Sequence, residues 1–81
     1  MDTSYLKGLL DCGKEVRFYY GAYSYILKKV QMHSLMEYTF GRELGQKVTT
    51  SYFDDILYRR YYGQNLVEML KELKSSDIIV C

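Results

Sequence analysis

A period-two alternation of apolar and polar side chains around a single glycine constrains the fold of this chain more than any other feature. Residues 14–27 hold four tyrosines around Gly21. Alternate residues of a strand point to opposite faces of a sheet. One face before the glycine therefore carries Val16, Phe18 and Tyr20, and the other carries Glu15, Arg17 and Tyr19. The apolar face resumes after the turn at Tyr23, Tyr25 and Leu27. The pattern predicts an aromatic β-hairpin whose core face holds Phe18, Tyr20, Tyr23 and Tyr25.

Helical signals lie on both sides of this hairpin. Residues 3–12 have good N-cap residues at their start and leucines spaced as one helical face, and Gly13 is placed to end that helix. Ser51 and Asp54 form a capping-box pattern before a short middle helix. Asn65 and Glu68 do the same for a last helix, whose apolar stripe is Leu66, Met69, Leu70 and Leu73.

Three further segments have strand character. Residues 34–40 form a third strand with Met36, Tyr38 and Phe40 as its apolar face, and Gly41 then opens a polar connection. Residues 46–52 are rich in Val and Thr, and Ile78-Ile79-Val80 is β-branched. The sequence predicts one α+β domain over residues 1–81. Its antiparallel sheet has four to five strands, with an N-terminal helix, a short middle helix and a C-terminal helix packed on one face.

Charge and length narrow the class of function. The 81 residues include 11 Lys and Arg against 10 Asp and Glu, a formal charge of +1. This balance argues against a polyanionic DNA mimic and against a strongly basic nucleic-acid binder. The N-terminus lacks the pattern of an export signal and no segment has the apolar length of a bilayer span, so we expect a cytoplasmic protein.

The chemistry-bearing residues do not form a catalytic or metal-binding motif. Cys12, His33 and Cys81 are the candidate zinc ligands, but their spacing has none of the short paired intervals of structural zinc. Asp54 and Asp55 are adjacent and diverge on a helix, which favours a role at its N-terminus. We expect a non-enzymatic protein without a cofactor, with zinc as the open alternative.

Tyrosines next to arginines indicate recognition of another macromolecule. Tyr and Arg are enriched in interface hot spots, because large rings with few rotatable bonds bury much area at small entropic cost. The residues expected to lie at least partly outside the core, as a protein-binding set, are Arg17, Tyr19, Tyr58, Arg59, Arg60, Tyr61 and Tyr62.

Two alternatives stay open at this point. Cations interleaved with rings also suit single-stranded nucleic acid, so a small nucleic-acid-binding regulator is one of them. A homo-oligomeric interaction module that pairs through an exposed sheet edge is the other.

Several motifs of this chain resemble those of short proteins from low-GC Gram-positive bacteria and their phages and prophages. The opening motifs are Gly13-Lys14-Glu15-Val16, Phe18-Tyr19-Tyr20-Gly21 and Tyr23-Ser24, and the later ones are Tyr52-Phe53-Asp54-Asp55-Ile56-Leu57 and Tyr62-Gly63-Gln64-Asn65-Leu66. Residues 33–46 depart from the group's pattern. The resemblance implies an accessory protein of a phage or mobile element, a group from which anti-CRISPR inhibitors are drawn. A bacterial Cas nuclease of the Cas9 type is then the expected partner, with loading of its target DNA blocked.

Overall fold

The computed structural model describes the backbone of residues 1–81 and every side chain except that of Met32. Three helices and five strands form an α+β fold, which confirms the predicted class. Along the chain they are α1 (Thr3–Asp11), β1 (Val16–Tyr20), β2 (Tyr23–Met32), β3 (Leu35–Arg42), β4 (Lys47–Thr50), α2 (Phe53–Tyr58), α3 (Leu66–Glu72) and β5 (Ile78–Val80), with a 3-10 turn (Ser75–Asp77) before β5.

All strands pair antiparallel in one sheet of order β4-β3-β2-β1-β5. The first four strands form a meander because each connection is short, and β5 returns to pair with the free edge of β1. Cα partners place Phe18 opposite both Tyr25 and Ile78, and Phe40 opposite both Leu27 and Val48. This register continues the apolar face of the hairpin across the sheet, as period two requires.

The three helices cover that apolar face. The rings of Phe18, Tyr25 and Phe40 stack at the centre of the sheet, with centroids 5.5 to 6.1 Å apart. The helices bury Leu6 and Leu10 from α1, Phe53, Ile56 and Leu57 from α2, and Leu66, Met69 and Leu70 from α3 in the same cluster. The opposite face of the sheet, which we call the open face, is left without a helix. Among the described residues, no helix is long and apolar enough to cross a bilayer.

The end of α1 is tied to the sheet by one carboxylate. Asp11 accepts hydrogen bonds from Lys7 Nζ at 2.9 Å, Lys29 Nζ at 3.0 Å and Tyr38 Oη at 2.8 Å. Together these donors hold the pKa of Asp11 well below its usual range, and the hydrogen bond from Lys7 contributes most to this lowering. The cluster fixes the helix against the long β2–β3 hairpin.

Helix caps follow the sequence in two cases and depart from it in one. Asp2 caps α1, and Asn65 forms the predicted capping box with Glu68, each side chain bonding the other residue's backbone N–H. The predicted box of Ser51 and Asp54 is wrong, because α2 begins one residue later and its N-cap, Tyr52, makes no side-chain cap bond.

The ends of the strands differ from the prediction more than their centres. Gly41 was expected to open the connection after the third strand, but β3 continues through it to Arg42. A Cβ at Gly41 would meet the carbonyl oxygen of Gln46 and lie 2.8 Å from Lys47 Cα, so the glycine lets two backbones approach closely. Tyr23 and Met36 were expected in the core but are about half exposed, because they lie toward the ends of their strands and the buried part of β3 begins only at Tyr38.

Candidate binding cleft

A cleft lies where two turns meet at one end of the sheet. The β1–β2 turn and the β3–β4 loop fall at the same end, and Glu43 N–H donates to Ser24 C=O at 2.8 Å to join them. The chain segment before α3 closes the remaining side through Tyr62. The cleft has a volume of about 720 Å³, and we call it the turn-end cleft. Its lining residues are Arg17, Phe18, Tyr19, Ala22, Tyr23, Ser24, Arg42, Glu43, Leu44, Gly45, Tyr62 and Ile79.

Arg42 is held between two tyrosine rings at the edge of this cleft. Its guanidinium carbon lies 3.5 Å from the ring centroid of Tyr23 and 3.4 Å from that of Tyr62. The backbone of Tyr62 has a φ of 56°, a left-handed conformation in the turn before α3. Arg42 Nε also donates to the hydroxyl of Tyr25 at 3.4 Å. Each cation–π contact contributes about 0.5–1 kcal/mol at an exposed site, so the stack holds the arginine in one orientation.

A second arginine in the cleft is already neutralised. Arg17 Nη1 lies 3.3 Å from Glu43 Oε2, and Arg17 Nη2 lies 3.3 Å from Glu15 Oε2. Glu43 also accepts from Ser24 Oγ at 3.0 Å. The hydrogen bond to Glu15, followed by the charge of Glu43, raises the pKa of Arg17. This network fixes the floor of the cleft on the open face of the sheet.

Apolar side chains form the rest of the lining and stay accessible. Tyr19 is 68% exposed and Ile79 is 50% exposed, and both lie on the open face, where Ile79 is the strand partner of Arg17. Leu44, in the β3–β4 loop, is fully exposed. A cluster of this kind, rimmed by charged residues, is typical of an interaction surface.

Only part of the predicted binding set meets here. Arg17, Tyr19 and Tyr62 line the cleft, whereas Tyr58, exposed at the end of α2, lies outside its lining. Arg59 and Arg60 also lie outside it. Arg59 pairs with Asp55 at 2.6 Å, and Arg60 bonds the carbonyl oxygen of Gly63 at 2.8 Å and lies 3.4 Å from Glu68.

The expected exposure of Tyr61 is wrong. Its side chain is buried, with its ring edge-on to Phe40 at a centroid distance of 4.7 Å and its hydroxyl donating to the carbonyl oxygen of Ile56 at 3.1 Å. Burial raises the pKa of Tyr61 to about 12. The tight turn in which Tyr61 N–H donates to Gln64 C=O at 2.6 Å sends this ring inward and the next one outward. Tyr61 therefore belongs to the core.

The candidate metal ligands do not converge. Cys12 and Cys81 are exposed free thiols, and His33 lies in the β2–β3 turn with a φ of 59°. Among the described side chains, no three His, Cys, Asp or Glu residues are close enough to hold a metal ion.

Nine of the lining residues were not among the predicted site residues, and four of these have large side chains that are accessible or bear charge: Tyr23, Arg42, Leu44 and Ile79. One of them carried a usable signal, because Arg42 continues the alternation of Tyr38 and Phe40 and so places a cation on the apolar face. Leu44 and Ile79 carried none, since their convergence depends on the antiparallel return of β5 and on the β3–β4 loop.

Comparison of the chain with protein-family models, with curated proteins and with solved structures finds no match.

Proposed function

We propose that this protein is a non-enzymatic binding module that takes a segment of a protein partner into the turn-end cleft. One observation carries the proposal: five large side chains, each about half exposed or more, line the cleft together with two arginines. Those five side chains are Tyr19, Tyr23, Leu44, Tyr62 and Ile79. Tyr and Arg are the residue types most enriched in interface hot spots.

The exposure of the lining favours a protein segment over a small molecule. Small-molecule sites enclose most of their ligand and have walls of buried side chains. Here Tyr19 and Leu44 keep most of their surface in solvent, so the cleft is open on the side that these residues line. An accessible apolar surface with a polar rim matches the anatomy of a protein interface.

The charges of the cleft favour protein over nucleic acid. Arg17 is paired with two glutamates, and Glu43 adds negative charge to the lining. Outside the cleft, Arg59 and Arg60 are also paired with carboxylates. Binding of a phosphate backbone would have to compete with each of these pairs.

For the partner we propose a bacterial Cas nuclease of the Cas9 type, whose loading of target DNA is blocked. The resemblance to phage and prophage proteins supports this class of partner. The protein would then act as an anti-CRISPR in the cytoplasm of the host cell.

Binding of the purified protein to a guide-loaded Cas9-type nuclease tests both the partner and the site. The cleft variant is Tyr19→Thr with Tyr62→Asn, and the matched control is Tyr58→Asn, since Tyr58 and Tyr62 have nearly equal exposure, 61% and 62%. We expect the cleft variant to lose at least about tenfold in affinity, with its melting temperature close to that of the wild type, and the control to bind normally.

Inhibition of target-DNA loading should likewise be weaker for the cleft variant than for the wild type, and the Tyr58→Asn control should inhibit normally. Equal affinities of the cleft variant and the wild type would refute the site. Absence of binding to guide-loaded nucleases would refute the partner class.

A further inference from the structure

The turn-end cleft holds one cation without an anionic partner. Of its two arginines, Arg17 is paired with Glu15 and Glu43. Arg42 forms no ion pair with any described carboxylate. The lining therefore presents a single unmatched positive charge, at Arg42.

The surroundings of Arg42 leave only the edge of its guanidinium available. The two faces are covered by Tyr23 and Tyr62, and Nε is used by the hydroxyl of Tyr25. Among the hydrogen bonds of the described residues, neither Nη of Arg42 is a donor, and neither is a buried unpaired atom. Their N–H groups lie in the plane of the guanidinium, where a carboxylate binds best.

The stack also lowers the entropic cost of using this arginine. A free arginine loses rotamer entropy when it is fixed. Here both rings and the Tyr25 hydroxyl already hold the side chain before any partner arrives. A site whose donors are held in place in this way binds more tightly for the same contacts.

We propose that the partner segment brings a carboxylate, from Asp, Glu or a chain terminus, to the Nη edge of Arg42. This inference rests on the proposed function and names the chemistry that the cleft recognises. One negative charge matches the one unmatched cation.

Two peptides that differ only in a side-chain carboxylate or carboxamide test whether the cleft recognises a carboxylate. Both are N-acetylated and C-amidated; one has the sequence Gly-Leu-Glu-Leu-Gly and the other replaces Glu by Gln. Each is titrated into the ¹⁵N-labelled full chain while amide shifts are followed by NMR. We expect shifts at the cleft residues with the Glu peptide and roughly tenfold weaker binding of the Gln peptide, the loss of a charge-assisted hydrogen bond.

Variants of Arg42 then assign the preference to this residue. Arg42→Gln should abolish the preference for Glu over Gln, and Arg42→Lys should keep part of it. If Arg42→Gln fails to fold, the comparison of the two peptides on the wild type still decides whether the cleft prefers a carboxylate.

Equal affinities of the two peptides in the cleft would overturn the carboxylate inference and leave the proposed function standing. Shifts from neither peptide, or stronger cleft shifts from an oligothymidylate than from the Glu peptide, would also overturn it. The proposed function is decided separately, by the nuclease-binding experiment with the Tyr19 and Tyr62 variant.

Discussion

Tyr61 and Tyr62 are adjacent in the chain, yet their substitution should have opposite consequences. Tyr61→Ala removes a buried ring from the core, whereas Tyr62→Asn removes an exposed ring from the turn-end cleft. We expect the first change to lower stability and the second to lower binding. For Tyr61 this differs from the expectation from sequence, in which both residues belonged to the binding set.

The structure sets the size of the effect at Tyr61. Truncation of a buried aromatic side chain to Ala costs about 3–5 kcal/mol. Within this, the edge-on pair with Phe40 contributes about 0.5–1.5 kcal/mol and the hydroxyl bond to Ile56 about 1 kcal/mol. Because a domain of this size has only about 4–12 kcal/mol of stability, the loss is a large share of the total. A loss of 3 kcal/mol lowers the melting temperature of such a domain by roughly 12–24 °C.

Thermal and urea unfolding followed by circular dichroism measure these changes. Tyr61→Phe keeps the ring and should lose only about 1 kcal/mol, and Tyr62→Asn serves as the exposed control. The pKa of Tyr61 is raised above its ordinary value of 10.0 to about 12. The unfolded chain therefore loses this proton first, and the free energy of unfolding falls as the pH rises from about 10 toward 12. That alkaline loss should be smaller in Tyr61→Phe. Equal melting temperatures for Tyr61→Ala and Tyr62→Asn would refute the reasoning.

Three further changes test other parts of the fold. Asp11→Asn should lower the free energy of unfolding by about 0.5–1 kcal/mol at neutral pH, a small value because the carboxylate is a third exposed. Because the pKa of Asp11 is lowered in the folded state, the difference in stability between the variant and the wild type should shrink as the pH falls below about 4. Gly41→Ala should destabilise by about 1–3 kcal/mol and shift the amide resonances of residues 43–47, because the new Cβ meets backbone. Gly8→Ala, in open space on α1, is its control and should stabilise by up to about 1 kcal/mol. Asn65→Ala should cost about 1 kcal/mol in urea unfolding by removing the capping box, and an unchanged midpoint would count against that cap.

The elements that sequence reasoning located are those whose signals are local. Phe18, Tyr25 and Phe40 lie on the apolar face because period-two alternation depends only on neighbouring residues. The capping box at Asn65 likewise needs only residues three apart. The two wrong assignments at Ser51 and Gly41 concern element ends, where a shift of one residue or a close backbone approach decides the outcome.

The candidate site also has residues that local signals located and residues that they did not. Alternation placed Arg17 and Tyr19 on the open face, where the structure has them. It could not separate Tyr61 from Tyr62, because a tight turn lacks a repeating period and sends neighbouring rings to opposite sides. Alternation also did not indicate that Arg59 and Arg60 are paired with carboxylates, although the four-residue spacing of Asp55 and Arg59 is a local signal for such a pair on a helix.

By itself, the sequence determined the aromatic hairpin, the helix-covered apolar face and the α+β class, since each follows from short-range periodicity and capping. The turn-end cleft was decided only by the tertiary structure. Its parts come from β1, the β1–β2 turn, β2, the end of β3, the β3–β4 loop, the segment before α3, and β5. The last of these pairs with β1 across more than half of the chain. The stack of Arg42 between Tyr23 and Tyr62 exists because the sheet order and the α2–α3 connection bring distant residues together, and no local pattern encodes that distance.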